Sequence, residues 1–369
     1  CIIPSNTLHM PQALKDKIIQ HIKKQGPLTV SEYMDFCLWD PEYGYYSTRD
    51  QFSQCQDFIT SPEISSLFGM TLARWILSQQ SIYKAPMTII ELGGGSGHLA
   101  ADILDVLLPN YSDMIKEYVI IEKSSKLRTH QKKTLQNYTK VAWCSTLQEL
   151  QQRIQKNPIV CIANEFFDAF PINQYIYKDR SCTQQQEGWY PRKITVLKNN
   201  LEFIVTSSHL EAALSIDSKA QPYKDAVHEE SPSAQSFFAS LIDTLRQTKG
   251  SFIMFDYGEY MGFGDTLQAQ KAHKQQCVFA HPGEADLTAH VRFYPYICSL
   301  KKNGIENINL TTQTQFLLQN GILDLYKYYR SSERFPENTI DKVLTKLIGS
   351  SKECGGMGHL FKTLTAQFL

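Results

Sequence analysis

The sequence has no excess of charge of either sign, no long apolar run and no paired-cysteine motif. Lysine plus arginine number 37, as do aspartate plus glutamate, and both are spread over 369 residues. This balance argues against a protein that binds nucleic acid electrostatically. No stretch approaches the roughly 18 apolar residues of a membrane span, so we expect no membrane insertion. The first ten residues lack a basic region followed by an apolar core, so we expect no signal peptide.

The cysteines number nine and are scattered, with no C-x-x-C pair among them. This spacing gives no support to a zinc site or a redox motif. Histidine, cysteine and acidic residues form no cluster with the spacing of metal ligands, so we expect no metal site. Unpaired thiols are typical of a reducing compartment, which favours the cytosol or a matrix-type compartment.

The order of the predicted elements favours an α/β fold with a doubly wound, mainly parallel sheet. Four short strands alternate with three helical patterns. The strands are apolar and rich in β-branched residues, as is typical of strands buried on both faces. The strands are predicted at 87–92, 118–122, 141–144 and 158–164, and the helices near 98–108, 124–137 and 146–155.

The flanking patterns differ from this alternation. They predict N-terminal helices and, between 171 and 210, an inserted antiparallel region. We therefore expect an N-terminal helical region at 1–86 and one domain at 87–369, with insertions at about 171–232 and 259–303. The other predicted elements are helices at 11–25, 30–39, from Ser61, at 233–248, near 285–302, near 312–320 and at 337–348, and strands at 251–257, 305–310 and 359–366.

The segment from Glu91 to Gly97, ELGGGSG, lies directly after a predicted strand and before a predicted helix. Glycine lets the backbone turn tightly against a ligand, and the first amides of a helix face that ligand. A dinucleotide fingerprint would need its third glycine at the position of His98, which disfavours an NAD-type oxidoreductase. The order with Gly93, Gly95 and Gly97 instead resembles the S-adenosylmethionine (SAM) loop of class I methyltransferases. A glycine-rich turn without a ligand is the alternative.

Two residues at the ends of the next strands are candidates for binding the nucleoside. Glu122 ends the second strand, where a carboxylate can accept hydrogen bonds from both ribose hydroxyls. NAD enzymes use the same contact, so Glu122 indicates a nucleoside without identifying it, and a solvated carboxylate is the alternative. Trp143 lies at the end of the third strand, where an adenine edge would lie, with a position in the core as its alternative.

The fourth strand leads into NEFFDAFP at 164–171, the edge where an open α/β sheet holds its reactants. Methyl transfer to nitrogen needs groups that orient the N–H bonds of the acceptor. Asn164, Glu165 and Asp168 supply such groups and are the candidate catalytic residues. A carboxylate can also hold a guanidinium through paired hydrogen bonds. Helix capping by Asn164 or Asp168 is the alternative.

Five motifs, taken in order, resemble the MidA family of SAM-dependent methyltransferases. The resemblance covers roughly residues 14–369, and the motifs are DFITSPEIS at 57–65, ELGGGSG, the strand-end Glu122, NEFFDAFP and GEADLTAHV at 283–291. It implies a class I methyltransferase (Rossmann-like) fold and SAM as the cofactor. The family is related to a mitochondrial complex I assembly factor that methylates arginine. We therefore expect a protein arginine N-methyltransferase, cytoplasmic in a bacterium or in the mitochondrial matrix of a eukaryote.

The resemblance also implies a protein substrate, with a respiratory-complex subunit as the candidate. A non-catalytic SAM-binding assembly factor or chaperone for such a complex is the alternative. The chain departs from the family pattern at three positions: Gly94 replaces proline, Ser96 replaces arginine, and Arg292 replaces an acidic residue. We expect the first two to leave SAM binding intact and the third to affect the choice of acceptor.

The remaining candidates lie outside these strand ends. Thr60 and Pro62 belong to the predicted helix start before the sheet, which we expect to close over the cofactor, so both are predicted to bind SAM. His273 and His290 are candidate bases near neutral pH or structural histidines, and the sequence assigns neither a role.

Overall fold

The structure is a computed structural model that divides into two compact units, each built from three stretches of chain. The first comprises the described residues of Cys1–Phe58, Asp168–Ser236 and Tyr260–Pro295, and the second those of Ile59–Phe167, Phe237–Glu259 and Tyr296–Leu369. The described residues are 10–48, 66–154, 156–181, 186–210, 214–272, 274–331, 337–350 and 356–369.

Helices and strands alternate in the order expected for an α/β chain interrupted by insertions. The helices are α1 (Met10–Gln25), α2 (Val30–Trp39), α3 (Tyr45–Thr48), α4 (Ser66–Tyr83), α5 (His98–Tyr111), α6 (Ser125–Thr134), α7 (Leu147–Arg153), α8 (Pro232–Thr248), α9 (Tyr294–Lys302), α10 (Gln313–Gln319), α11 (Ile322–Ser331) and α12 (Glu337–Ile348). The strands are β1 (Leu28–Thr29), β2 (Met87–Leu92), β3 (Ile115–Ile121), β4 (Val141–Cys144), β5 (Ile159–Asn164), β6 (Asn173–Lys178), β7 (Gly188–Leu197), β8 (Asn200–Val205), β9 (Val227–Glu230), β10 (Gly250–Glu259), β11 (Gln268–Lys271), β12 (Lys274–Gln276), β13 (Asp286–Thr288), β14 (Val291–Arg292), β15 (Ile308–Thr312) and β16 (Phe361–Phe368).

The second unit contains the central sheet, in the strand order β15-β16-β10-β5-β2-β3-β4. Strands β10, β5, β2, β3 and β4 pair in parallel, whereas β16 is antiparallel to both β10 and β15. All six residues of β2 are buried, as parallel strands covered on both faces require. The doubly wound, mainly parallel sheet predicted from the sequence is thereby confirmed.

The core of the second unit forms between this sheet and the helices on its faces. Helix α4 contributes Leu67, Phe68, Leu72 and Ile76, all buried. The Phe68 ring meets Phe255 of β10 edge-to-face, at 5.0 Å between centroids. Such burial supplies most of the free energy that keeps a helix on a sheet. Among the described residues, no helix has the length and apolar character to cross a membrane.

The first unit is built on antiparallel sheets. One has the order β1-β7-β6-β9, with β8 paired to β7, and the other the order β12-β11-β13. Lys198 and Asn199, both at positive φ (48° and 64°), join β7 to β8, as a two-residue hairpin turn of this hand requires. The antiparallel region predicted within 171–210 is confirmed by β6, β7 and β8.

One predicted helix is wrong in its first half. The sequence predicted a helix near 285–302, but β13 and β14 occupy its beginning and α9 starts only at Tyr294. Strand β13 pairs with β11, and this long-range pairing outweighs local helix preference. Helix α9 begins directly before Pro295, which suits a first turn. Strand β3 also begins earlier than predicted, at Ile115.

Candidate functional site

The carboxyl ends of the parallel strands form one edge of the sheet in the second unit. Leu92 of β2 is in register with Ile121 of β3 on one side and with Ala163 of β5 on the other. Ile121 is in turn in register with Cys144 of β4. The residues that follow these strand ends therefore lie side by side, where an open α/β sheet holds its ligands.

The loop after β2 is shaped by glycines at positive φ. Gly93 and Gly95 have φ of 68° and 48°, a region that side chains with a Cβ rarely adopt. A Cβ at Gly93 would lie 2.9 Å from the Phe166 ring, whereas one at Gly95 would meet no atom of the described residues within 4 Å. Gly95 is exposed. The loop therefore leaves open space at Gly95, and α5 begins just after Gly97.

Glu91 is a buried carboxyl directly before this loop. It is 2% exposed and accepts a hydrogen bond from the Tyr118 hydroxyl at 2.9 Å. Burial raises the pKa of Glu91 to about 8, the Tyr118 hydrogen bond lowers it, and the charge of Glu122 raises it. Glu91 is therefore largely protonated at neutral pH in the cofactor-free chain.

Glu122 follows β3 directly and is 7% exposed. Its carboxylate accepts a hydrogen bond from the Ser124 amide at 2.9 Å and a longer one from Gln131 Nε2 at 3.3 Å. Burial raises the pKa of Glu122, and these hydrogen bonds lower it. Its two oxygens offer about four lone-pair positions, so the carboxylate can still accept from a diol. Its role in ribose binding stays a prediction.

Trp143 lies on β4, half-buried. Its indole N–H donates to Gln131 Oε1 at 3.0 Å, and the Lys132 ammonium lies 5.7 Å from the ring centroid. Gln131, on α6, thus links the tryptophan to Glu122. Sequence reasoning missed Gln131 because it lies within the polar run SKLRTHQKKT, which is typical of a solvated helix.

At the end of β5, Asn164 and Glu165 have unusual environments. The Asn164 Oδ1 atom is buried and has no hydrogen-bond partner among the described residues, while Asn164 Nδ2 lies 3.4 Å from Glu165 Oε1. Glu165 has φ of 48°, and its amide donates to Phe255 O at 2.8 Å. A buried polar atom without a partner and a strained backbone are both common at functional sites.

Asp256, which had no role predicted from the sequence, anchors the segment after Asn164. It is fully buried on β10 and accepts hydrogen bonds from the amides of Phe167 at 3.0 Å and Tyr257 at 3.2 Å. A carboxylate that receives backbone amides in this way holds its segment in one conformation.

Asp168, the third predicted catalytic residue, belongs to the first unit, whose boundary falls directly after Phe167. It is buried, and its carbonyl accepts from the Ala289 amide at 3.1 Å. The Tyr46 hydroxyl lies 3.1 Å from Asp286 Oδ1. Desolvation and the charges of Asp286 and then Asp168 raise the pKa of Tyr46 well above its usual range. The first unit thus brings Asp168 near Asp286, a residue without a role predicted from the sequence.

The remaining predicted residues are Thr60, Pro62, His273 and His290. Thr60, Pro62 and His273 lie outside the described residues. The His290 amide donates to Thr266 Oγ1 at 2.9 Å in the first unit. Where the structure describes the chain, no three acidic, cysteine or histidine side chains are placed to hold a metal ion.

The edge of the second unit fits a SAM molecule. A Cβ at Gly95 would enter space that the described residues leave open, and Glu122 retains acceptor capacity for a diol. A carboxylate that accepts hydrogen bonds suits the neutral hydroxyls of such a ligand.

Comparison with known proteins decides the family. A family model described as "Putative S-adenosyl-L-methionine-dependent methyltransferase" matches residues 71–307. The chain belongs to this family, the MidA family of SAM-dependent methyltransferases. It is 31% identical over 340 residues to the protein arginine methyltransferase NDUFAF7, mitochondrial, of Xenopus laevis, covering 84% of this chain and 74% of that one. The Caenorhabditis elegans homolog is 29% identical over 351 residues, covering 86% of this chain and 78% of the other.

Solved structures share the fold along the whole MidA-family chain. A COG1565 superfamily protein from Burkholderia thailandensis, bound to S-adenosyl-homocysteine, has a TM-score of 0.80 at 24% identity and covers 100% of this chain and 95% of its own. A native structure from the same organism has a TM-score of 0.77 at 25% identity, with 100% and 94% covered. The predicted class I methyltransferase fold is confirmed, and so are the enzyme class and SAM as its cofactor.

Proposed function

We propose that this methyltransferase transfers the SAM methyl group to a nitrogen of an arginine side chain in a partner protein. Relatives named as protein arginine methyltransferases match it over three quarters of their own length. The observation that carries the proposal is the buried Asn164 Oδ1 atom, for which the described part of the chain offers no hydrogen-bond partner. An acceptor nitrogen that carries N–H bonds supplies the donor that this oxygen lacks.

We further propose how the chain holds the cofactor. The loop with Gly93, Gly95 and Gly97 lies under the methionine and ribose parts, and Glu122 accepts from the ribose hydroxyls. Glu91, directly before the loop, also contacts the cofactor, and Trp143 borders the adenine. The register of β2, β3 and β4 supports this assignment because it aligns their carboxyl ends. Thr60 and Pro62 remain predicted cofactor contacts.

Methyl transfer requires mainly that the protein positions the acceptor nitrogen. Bound SAM supplies a methyl group already activated by its positively charged sulfur. Asn164 Oδ1 accepts an N–H of the attacking nitrogen and so aims its lone pair. We propose that Glu165, and Asp168 three residues later, pair with the guanidinium through charge-assisted hydrogen bonds. As the nitrogen–methyl bond forms, the sulfur keeps the electrons of its broken bond and the product S-adenosylhomocysteine leaves. One of the two carboxylates takes the proton that the nitrogen releases. The apolar rings of Phe166 and Phe167 exclude water, which strengthens these electrostatic contacts.

The proposed partner and compartment are inferred from the relatives. Their names call them mitochondrial. We propose a respiratory-complex subunit as the acceptor, in the mitochondrial matrix if the chain is eukaryotic and in the cytoplasm if it is bacterial. The family resemblance stated above supports this choice.

The test is methyl transfer from radiolabelled SAM to candidate respiratory-complex subunits, followed by mapping of the labelled residue. We expect label on arginine with the wild-type protein. Glu165→Gln and Asp168→Asn keep the shape but remove the charge, so transfer should fall at least tenfold while SAM affinity stays within threefold. Asp243→Asn, at an exposed helix carboxylate, is the matched control.

Other results would contradict parts of this proposal. Label on lysine or on nucleic acid would exclude arginine as the acceptor. Absence of any transfer by the wild-type protein would favour the non-catalytic assembly factor. Full transfer by both variants would move the acceptor carboxylates elsewhere, with Asp286 the next to replace.

A further inference from the structure

Gln131 is a fully buried amide between three elements of the cofactor edge. Its Nε2 donates to Gly95 O at 3.0 Å and to Glu122 Oε2 at 3.3 Å. Its Oε1 accepts from Trp143 Nε1 at 3.0 Å. One side chain on α6 therefore binds the residues that follow β2 and β3 as well as the end of β4.

The orientation of this amide is fixed by its partners. An indole nitrogen only donates a hydrogen bond, so the Gln131 oxygen must face Trp143. Its NH₂ group must then face the Gly95 carbonyl and the Glu122 carboxylate, which only accept. Both amide hydrogens are used, and no other neutral side chain of this length offers two donors and an acceptor in this arrangement.

We propose that Gln131 is a positioning residue for the adenosine part of the cofactor. It holds the Glu122 carboxylate, the Gly95 carbonyl and the Trp143 indole in one arrangement before the ligand arrives. The inference rests on the proposed placement of the ribose at Glu122. Pre-organised groups bind more tightly because the ligand does not have to order them, so the loss of Gln131 should weaken every ligand that contains adenosine.

The first measurement is the affinity of Gln131→Leu for S-adenosylhomocysteine and for 5′-methylthioadenosine, two probes that share the adenosine group. We expect both dissociation constants to rise at least tenfold and by the same factor within threefold. The KM for SAM should rise similarly, while kcat at saturating SAM stays within twofold. Unchanged affinity for both probes would overturn the inference.

The matched control is Gln79→Leu, which removes another buried amide of the second unit. Gln79 is 2% exposed, and its side chain binds Trp75 O at 3.2 Å and Ser251 Oγ at 2.8 Å. Ser251 lies near the amino end of β10, away from the strand ends that form the cofactor edge. We expect Gln79→Leu to lose stability and to keep both affinities, and an equal loss of affinity in this variant would overturn a specific role for Gln131.

A double-mutant cycle separates this inference from the proposed ribose contact. We expect Glu122→Ala alone to lower the affinity for S-adenosylhomocysteine tenfold to a hundredfold. In Glu122→Ala/Gln131→Leu the loss should be at least threefold smaller than the product of the single losses, because Gln131 acts partly through Glu122. A loss in the double variant equal to the product of the single losses would overturn the inference without contradicting the ribose contact. No effect of Glu122→Ala would instead overturn the ribose contact, and the inference with it.

Discussion

Each unit contains a buried glutamate, and the two differ in how completely their hydrogen bonds are satisfied. Glu229, in the antiparallel sheet of the first unit, is 3% exposed. It accepts from the Thr266 amide at 2.9 Å, from the Thr266 hydroxyl and from Gln174 Nε2 at 2.9 Å, and Arg292 lies 3.6 Å away. Its acceptor positions are therefore filled by the protein itself.

Glu122 is almost as buried, and among the described residues it accepts a short hydrogen bond from Ser124 and a long one from Gln131. The Lys123 amide and the charge of Arg128 also lower its pKa. Burial raises the pKa of both glutamates, so burial and pKa alone do not separate a structural from a ligand-binding carboxylate. The acceptor capacity that remains does separate them. We infer that Glu229 stabilises the first unit and that Glu122 keeps hydrogen-bond acceptor capacity for a ligand.

The largest effect expected from this comparison is on stability. Glu229→Ala should lower the free energy of unfolding by about 3–5 kcal/mol, because it leaves the Arg292 guanidinium buried without its carboxylate. Glu122→Ala should cost clearly less, since no buried cation depends on it. Urea unfolding of the cofactor-free proteins measures both changes. A greater loss in Glu122→Ala would reverse the two assignments.

The strands and their ends could be predicted because the physics that places them is local. Runs of β-branched and apolar residues mark strands that are buried on both faces, and a glycine loop between strand and helix marks a ligand edge. This was sufficient to find β2, β4 and β5, the glycine loop and Glu122.

Some neighbours of the candidate residues within each unit could not be predicted, because their contacts are distant in sequence. Gln131 stands among lysines and threonines in the sequence, and only the packing of α6 on the sheet buries it. Asp286 lay in a predicted helix, whereas pairing of β13 with β11 makes it a strand residue near Tyr46. A local pattern carries no information about such neighbours.

The second prediction sharpens the comparison at the cofactor loop. Gly95→Val places a branched side chain in the open space beside the loop, so SAM affinity should fall at least a hundredfold, equivalent to about 2.8 kcal/mol. The positive φ of Gly95 adds a strain cost of roughly 1–2 kcal/mol to folding. Calorimetric titration with SAM and urea unfolding measure the two effects separately.

Gly304→Val is the matched control for that strain. Gly304 has φ of 77° and is exposed, and a Cβ added there would meet none of the atoms that the structure describes within 4 Å. It lies in the second unit outside the glycine loop, so this variant should lose similar stability and keep its affinity for SAM. Binding of SAM by Gly95→Val within threefold of wild type would exclude the loop as the cofactor cradle.

The third prediction concerns Glu91, which is as buried as Glu229. Its carboxyl accepts a hydrogen bond from the Tyr118 hydroxyl. Its pKa is about 8 in the folded chain, above the ordinary value of 4.5. Between these values the folded state keeps a proton that the unfolded state has released. The stability contributed by protonated Glu91 is therefore complete below about pH 4.5 and is lost as the pH rises through about 8.

Glu91→Gln removes this titration and keeps an oxygen that can accept from Tyr118. The decline in unfolding free energy between pH 5 and pH 8 should become shallower by at most about 1.4 kcal/mol per pH unit. The variant should also be more stable than wild type above pH 8, where the native carboxyl is charged and buried. Urea unfolding of both cofactor-free proteins at several pH values isolates Glu91, because the other titrating groups are common to both. In Tyr118→Phe the pH range over which protonated Glu91 stabilises the fold should extend to higher pH, because the hydrogen bond that lowers the Glu91 pKa is lost. Parallel pH profiles for all three proteins would mean that Glu91 is ionised in the folded state.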